Sequence, residues 1–298
     1  MNPRKAKSPP NPEFHTPTIC CFPVFRILRT LIWGHVPSLD MAGSESSEPD
    51  WPALLRSWDR QQESCIPNRQ SKFEAILTVL GAYLPKRFTA MDLGSGPGSL
   101  AVRILDRFPE ARVVAVDFDP VLLKIGREAS KTIGGRISWV DADIGSARWT
   151  EQLPNIRFDA VVSSTALHWL DRARLGRLYR DLAKVMRRGG IFLNGDVLPP
   201  GKDKMTLGGI TEKIRYERYG TLQAEFAPWQ RWWKKVEREQ GSLRPVFRER
   251  RARFAHTQAS EGMLSLDDHV RLLRAAGFSE VDTLWQNLLQ DRILAAIR

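Results

Sequence analysis

The chain reads as an α/β protein, an open and mostly parallel sheet of seven strands with helices on both faces. Three observations predict this. Val113–Val116 is a short continuous apolar run, the pattern of a strand buried on both faces. Four further extended runs alternate with helical stretches around it, and two more close the chain. A glycine-rich turn, Met91-Asp92-Leu93-Gly94-Ser95-Gly96-Pro97-Gly98-Ser99, joins the first strand to a helix.

The elements follow in order. An extended run at Phe88–Ala90 leads into the turn, and a helix follows over Leu100–Phe108. Val113–Val116 ends at Asp117-Phe118. Asp119-Pro120 supplies an N-cap and a proline at the first position of the next helix. A third strand, Arg136–Val140, runs into Asp141-Ala142-Asp143-Ile144. A fourth, Phe158–Ser163, is followed by Ser164-Thr165-Ala166-Leu167-His168-Trp169-Leu170. A helix over Asp171–Arg188 is expected to stop at Gly189-Gly190 as a C-cap pair. Strand five is Ile191–Asn194, with Gly195-Asp196 after it. A helix over Leu266–Ala276 stops at Gly277, and Glu280–Trp285 and Asp291–Ile297 are the last two strands.

The turn is built to hold a ligand. Its glycines let backbone N–H groups approach closely, and the helix start adds partial positive charge. Two cofactor classes use such a turn. A dinucleotide site wants G-x-G-x-x-G, and here the third glycine position falls on Ser99. The string Asp92-Leu93-Gly94-Ser95-Gly96-Pro97-Gly98-Ser99 instead resembles motif I of the class I S-adenosylmethionine-dependent methyltransferases, and the upstream segment Trp58–Glu63, Ile66–Arg69 and Phe73–Leu84 resembles that of bacterial small-molecule enzymes among them. Those enzymes have a Rossmann-like fold with this order of elements and an antiparallel last strand. The resemblance covers about residues 51–298, excluding an insertion.

It implies S-adenosylmethionine as cofactor and a set of residues to hold it. Asp92, Gly94, Ser95, Gly96 and Gly98 would take the methionine end, with Asp92 in support and no proton transfer implied. Asp117 would accept the ribose hydroxyls, with a solvated strand-end acid as the plain alternative. Phe118 would lie on the adenine face. Asp143-Ile144 would meet the adenine amino group and ring, with Asp141 as the alternative acid and a turn-stabilising role as the plain one. Ser163, at the carboxyl end of strand four, would complete the cofactor site. The segment after it faces the transferring methyl group. It carries neither an Asn/Asp-Pro-Pro-Tyr-like motif nor a nucleophilic cysteine, which argues against adenine-N or cytosine-C5 methylation. Thr165, His168 and Trp169 are acceptor-pocket candidates. His168 is either a general base or a residue that stabilises the loop.

Upstream, Trp58-Asp59-Arg60-Gln61-Gln62-Glu63 and Ile66-Pro67-Asn68-Arg69 precede an amphipathic helix over Phe73–Leu84. Residues 51–85 are expected to form lid helices, with Gln62 and Arg69 as polar contacts or as plain surface polarity. Of the +11 formal charge, residues 1–40 carry +3, residues 202–253 carry +7 and the remainder +1. The core is thus near neutral. Residues 1–50 are expected to be a basic, proline-rich, weakly ordered tail, with Met41 as the candidate biological start or the tail as a membrane-surface or targeting arm. The insertion, about 198–260, places Trp229, Trp232 and Trp233 on one helical face beside a run of arginines at 248, 250, 251 and 253. It reads as a lid over the acceptor with Trp229 in the pocket, as a nucleic-acid surface, or as helices packed by their tryptophans.

Three cysteines outside any metal-ligand pattern predict no metal site and a reducing, cytoplasmic setting. No apolar run predicts a membrane span. The function expected is methyl transfer from S-adenosylmethionine to an O or N atom of a small molecule. The alternatives are an RNA or protein methyltransferase using the basic insertion, a non-enzymatic binding module and, residually, a dinucleotide dehydrogenase.

Overall fold

The computed structural model describes residues 48–255 and 263–298. The expected tail, with Met41, lies outside the described residues except for residues 48–50. Two helices come first, α1 (Trp51–Cys65) and α2 (Arg69–Tyr83). The sheet then begins with β1 (Thr89–Leu93), α3 (Ser99–Arg107), β2 (Arg112–Asp117), α4 (Pro120–Ala129) and β3 (Ile137–Asp141). It continues through β4 (Phe158–Ser164), α5 (Arg172–Val185) and β5 (Met186–Val197). Three insertion helices follow, α6 (Met205–Tyr219), α7 (Leu222–Glu239) and α8 (Arg244–Ala255). The chain returns through α9 (Leu266–Ala275), β6 (Glu280–Gln286) and β7 (Asp291–Ile297).

The strand order is β3-β2-β1-β4-β5-β7-β6. Strands β1 to β5 pair in parallel, and β7 runs antiparallel to both β5 and β6. The chain builds outward from β1 to β3 and then crosses back to β4. The point where the direction reverses, between β1 and β4, opens the crevice in which such sheets take ligands.

Residues alternate between the two faces of the sheet with a period of two. Ala90, Val113, Ala115, Val162 and Leu193 pack under α2 and α3. Met91, Val114, Val116, Val161 and Phe192 pack under α5 and α9. A third cluster joins α1 to α4 and to the insertion, through Trp51, Leu54, Trp58, Val121, Ile125, Trp232 and Trp233.

Gly189-Gly190 does not cap a helix. Helix α5 ends at Val185, Met186 is already extended, and both glycines lie inside β5. Pairing of β5 with β4 shifts there, from Phe158↔Met186 to Ala160↔Ile191. Gly189 takes a φ of 74° within this irregularity. The glycines therefore let the strand absorb extra residues rather than end the helix.

Candidate active site

Asp92 ends β1 with its carboxyl buried, accepting the Ala101 N–H at 3.1 Å in the first turn of α3. Burial, reinforced by the nearby charge of Asp117, pushes it up to about 7. The turn that follows needs its glycines. Gly94, Gly96 and Gly98 all have positive φ, and a Cβ on Gly94 would stand 2.3 Å from that of Ala166. Asp117 organises the turn from β2. It accepts N–H groups from Gly96 at 2.7 Å and from Phe118 and Asp119 at 2.8 Å each. Burial still pushes its carboxyl up to about 6.

The upstream helices close on this turn. Trp58 lies where it would touch a Cβ on Gly96, at 3.8 Å. Asp59 accepts the Ser99 hydroxyl at 2.6 Å, Arg69 at 2.9 Å and Arg103 at 3.1 Å. Arg69 is buried, and its second terminal nitrogen, Nη1, has no hydrogen-bond partner. The helix phase brings Gln61, not Gln62, onto the buried face of α1 with Trp51, Leu54, Trp58 and Cys65. Both amide atoms of Gln61 are buried without a partner. From Trp58, Gln61 stands at i+3 and Gln62 at i+4, so spacing alone admits either.

Beside β2 and β3 lies a cavity of about 480 Å³ walled by Phe118, Asp141, Ala142, Asp143, Trp149 and Arg253. Phe118 and Asp143 thus line one cavity. Asp143 also accepts the Gly145 N–H at 2.8 Å, the turn role set beside the ligand role. Ile144 packs against the core beneath. Asp141, the alternative acid, lines the same cavity and is bound by Arg253. Ser163 does not open onto the crevice. It is fully buried, and its hydroxyl donates to the Leu93 carbonyl at 2.9 Å.

On the other side of the turn, β4 leads into Thr165, a β-branched residue held at a φ of 58°. Such a conformation is strained and persists only where neighbours enforce it. Its N–H donates to the Gly195 carbonyl at 3.0 Å. Its hydroxyl accepts from Lys72 Nζ at 3.3 Å. Lys72 is buried in α2 and also pairs with Asp291 of β7 at 2.9 Å. Three residues on, His168 Nδ1 meets Asp196 Oδ1 at 2.9 Å. The His168 N–H also donates to Asp196, at 3.3 Å. Asp196 lies on β5 and is fully buried. Burial works to raise its carboxyl, but the charge and hydrogen bond of His168, with Lys72, hold it below the usual range. Trp169 lies with its ring 4.8 Å from the imidazole. The pairing of His168 with Asp196 was not legible in the sequence, because only adjacency of β4 and β5 creates it.

Trp229, named as an acceptor-pocket candidate, is half-buried in the insertion. It packs on Trp233, which with Trp232 lies edge-on to Trp58. Of the basic run, Arg250 pairs with Asp119 at 2.5 Å, Arg251 with Glu237, and Arg253 with Asp141. These arginines face the protein's own acids. No helix among the described residues is long and apolar enough to cross a membrane, and no described group of His, Cys, Asp or Glu could hold a metal ion.

Residues 90–190 match the family described as a methyltransferase domain. An uncharacterised methyltransferase of Mycobacterium tuberculosis is 37% identical over 108 residues, 36% of this chain and 47% of that protein. A trans-aconitate 2-methyltransferase of Streptomyces avermitilis is 33% identical over 122 residues, 40% and 44% of the two chains. The chain thus spans about half the length of the curated relatives it matches. Among solved structures, magnesium protoporphyrin IX methyltransferase from Synechocystis PCC 6803 superposes with a TM-score of 0.51 at 16% identity, covering 83% of this chain and 94% of that one. Residues 90–190, which carry the glycine turn, Asp117 and His168, are thus similar to a methyltransferase domain, on a seven-stranded sheet that such enzymes also have.

Proposed function

We propose that the protein transfers a methyl group from S-adenosylmethionine to an O or N atom of a small-molecule acceptor. The observation that supports this reading is the β1/β4 switch point, where the glycine turn, held by Asp117, lies against Ala166 of the connection that carries the His168–Asp196 pair. The residues present fit the cofactor. Gly94, Gly96 and Gly98 take positive φ and, with Ser95, turn the backbone so that it would wrap the methionine end, with Asp92 bracing the turn from behind. The unpartnered Nη1 of Arg69, beside Ser99, suits the cofactor's carboxylate, and Gln61 adds an unpartnered amide on the same helical layer. Asp117 takes the ribose, and Phe118, Asp143 and Ile144 take the adenine.

When bound, the cofactor supplies a methyl group already activated on a sulfonium, so the protein has only to align and deprotonate the acceptor. Asp196 stays a carboxylate, accepts the Nδ1 proton of His168 and makes Nε2 the basic nitrogen. His168 then removes the acceptor's proton as its oxygen or nitrogen attacks. Trp169 and the Thr165 turn shape the wall next to it. The engagement of Arg250, Arg251 and Arg253 with internal acids favours this reading over an RNA surface.

The test is transfer of a labelled methyl group into metabolite pools, starting with di- and tricarboxylates because of the trans-aconitate relatives, and into RNA alongside. Label in a metabolite fraction is expected. Label in RNA alone would replace the reading with its rival. On the acceptor so found, His168→Gln should lower kcat by roughly 10²- to 10³-fold with cofactor affinity kept. Unchanged turnover would remove the base.

A further inference from the structure

We propose that Arg253, carried by the insertion, is a cofactor-binding residue that walls the adenosyl half of the donor site. This rests on the donor reading above and extends it to a segment that the sequence sets over the acceptor. Arg253 comes from the end of α8, yet it reaches the carboxyl ends of β2 and β3. Its two terminal nitrogens donate to the two Asp141 oxygens at 2.6 and 2.7 Å. One of them also donates to the Phe118 carbonyl at 3.0 Å, and the other to Glu249. The guanidinium stands 5.3 Å from the centre of the Phe118 ring.

The helix that delivers it is anchored. Phe247 is buried in the tryptophan cluster. Arg250 pairs with Asp119 at 2.5 Å and lies 3.8 Å over the ring of Trp233. Phe254 meets Phe118 edge-on at 5.3 Å. Arg253 is thus held beside an aromatic ring by two carboxylates before any ligand arrives.

The cavity decides between wall and plug. It retains about 480 Å³ with Arg253 in place as part of its lining, within the roughly 300–1,000 Å³ of ordinary ligand pockets. A planar cation fixed next to an aromatic face suits a purine, and pre-organisation spares the entropy of ordering a long side chain. The ligand class is an adenine nucleoside bearing a 5′-thioether or sulfonium.

Calorimetry with two probes tests this. S-adenosylhomocysteine reports on the whole donor site, and 5′-methylthioadenosine reports on the adenosyl end alone. Arg253→Met is expected to weaken both by about the same factor, on the order of tenfold for one such contact. Arg69→Met, at the other end, should weaken S-adenosylhomocysteine and spare methylthioadenosine. Asp141→Asn, which loosens the fork while keeping Arg253, should give a smaller loss on both probes and stands in if Arg253→Met fails to fold. Unchanged or tighter methylthioadenosine binding in Arg253→Met, or in Asp141→Asn if that variant stands in, would overturn the proposal while leaving the donor reading intact. Wild-type protein that binds neither probe would overturn the donor reading, and the proposal with it.

Discussion

Asp92 shows how one side chain can be costly to the fold and useful to a site. Folding moves its carboxyl from 3.8 to about 7 by burial. Below about pH 4 it is protonated in both states and nothing is lost. As pH rises through 4 to 7 the unfolded chain ionises first, so the folded state loses relative stability until the folded carboxyl ionises too. Asp92→Asn removes this loss while keeping an acceptor for Ala101. The variant should melt higher than wild type at pH 8, by on the order of 5 °C, and converge with it near pH 4 when ligand is absent. It should also bind S-adenosylhomocysteine more weakly, read by calorimetry. A higher melt with weaker binding is the signature of a charge kept for a ligand. Unchanged binding would make Asp92 a loop brace alone. At this scale much was legible. Asp117 was read from the end of its strand, while Phe118 and Asp143 were named from the resemblance to the methyltransferase family.

At the scale of elements, the β4–α5 connection is fixed from three directions. Gly195 and Asp196 of β5 hold Thr165 and His168, and Lys72 of α2 holds the Thr165 hydroxyl. A left-handed threonine costs about 1–3 kcal/mol, so the hold is needed. Lys72→Met alone strands Asp291 and should cost about 3–5 kcal/mol of stability in urea unfolding. Adding Asp291→Leu should restore most of that stability but leave kcat about tenfold low, since the turn is still released. Adding Thr165→Gly, which adopts the turn without strain, should return kcat. If the triple variant stays slow, Lys72 has another task. None of this was readable from spacing, because Lys72 and Asp291 are 219 residues apart. The misreading of Gly189-Gly190 belongs here as well. Paired glycines after a helix serve equally as a cap or as a strand irregularity, and only the partner strand decides.

For the whole molecule, the insertion and the first helix form one unit. Trp232 donates to Ser57 at 2.8 Å and lies 5.1 Å from Trp58, so α1 and α7 share a seam. The same α1 brings Asp59 to Ser99 at the donor turn. Trp232→Ala should therefore cost about 3–5 kcal/mol, seen in denaturant unfolding. It should also speed hydrogen exchange in α1 and α7 together. Faster exchange in α7 alone would mean that the two helices open independently.

The sequence by itself determined the glycine turn and the strand ends around it. Glycines at three positive-φ positions, an acid before them and acids at the next strand ends are demands of the local backbone, so residue type records them where they occur. The seven strands and their order followed from the same local patterning. The tertiary structure decided the rest. It paired His168 with Asp196 across 28 residues and Arg253 with Asp141 across 112. It turned Gln61 rather than Gln62 inward, and set the insertion's tryptophans and arginines against α1, α4 and the ends of β2 and β3. Contacts between distant segments follow from which strands become neighbours and how helices roll onto them. No single stretch of residues contains that information.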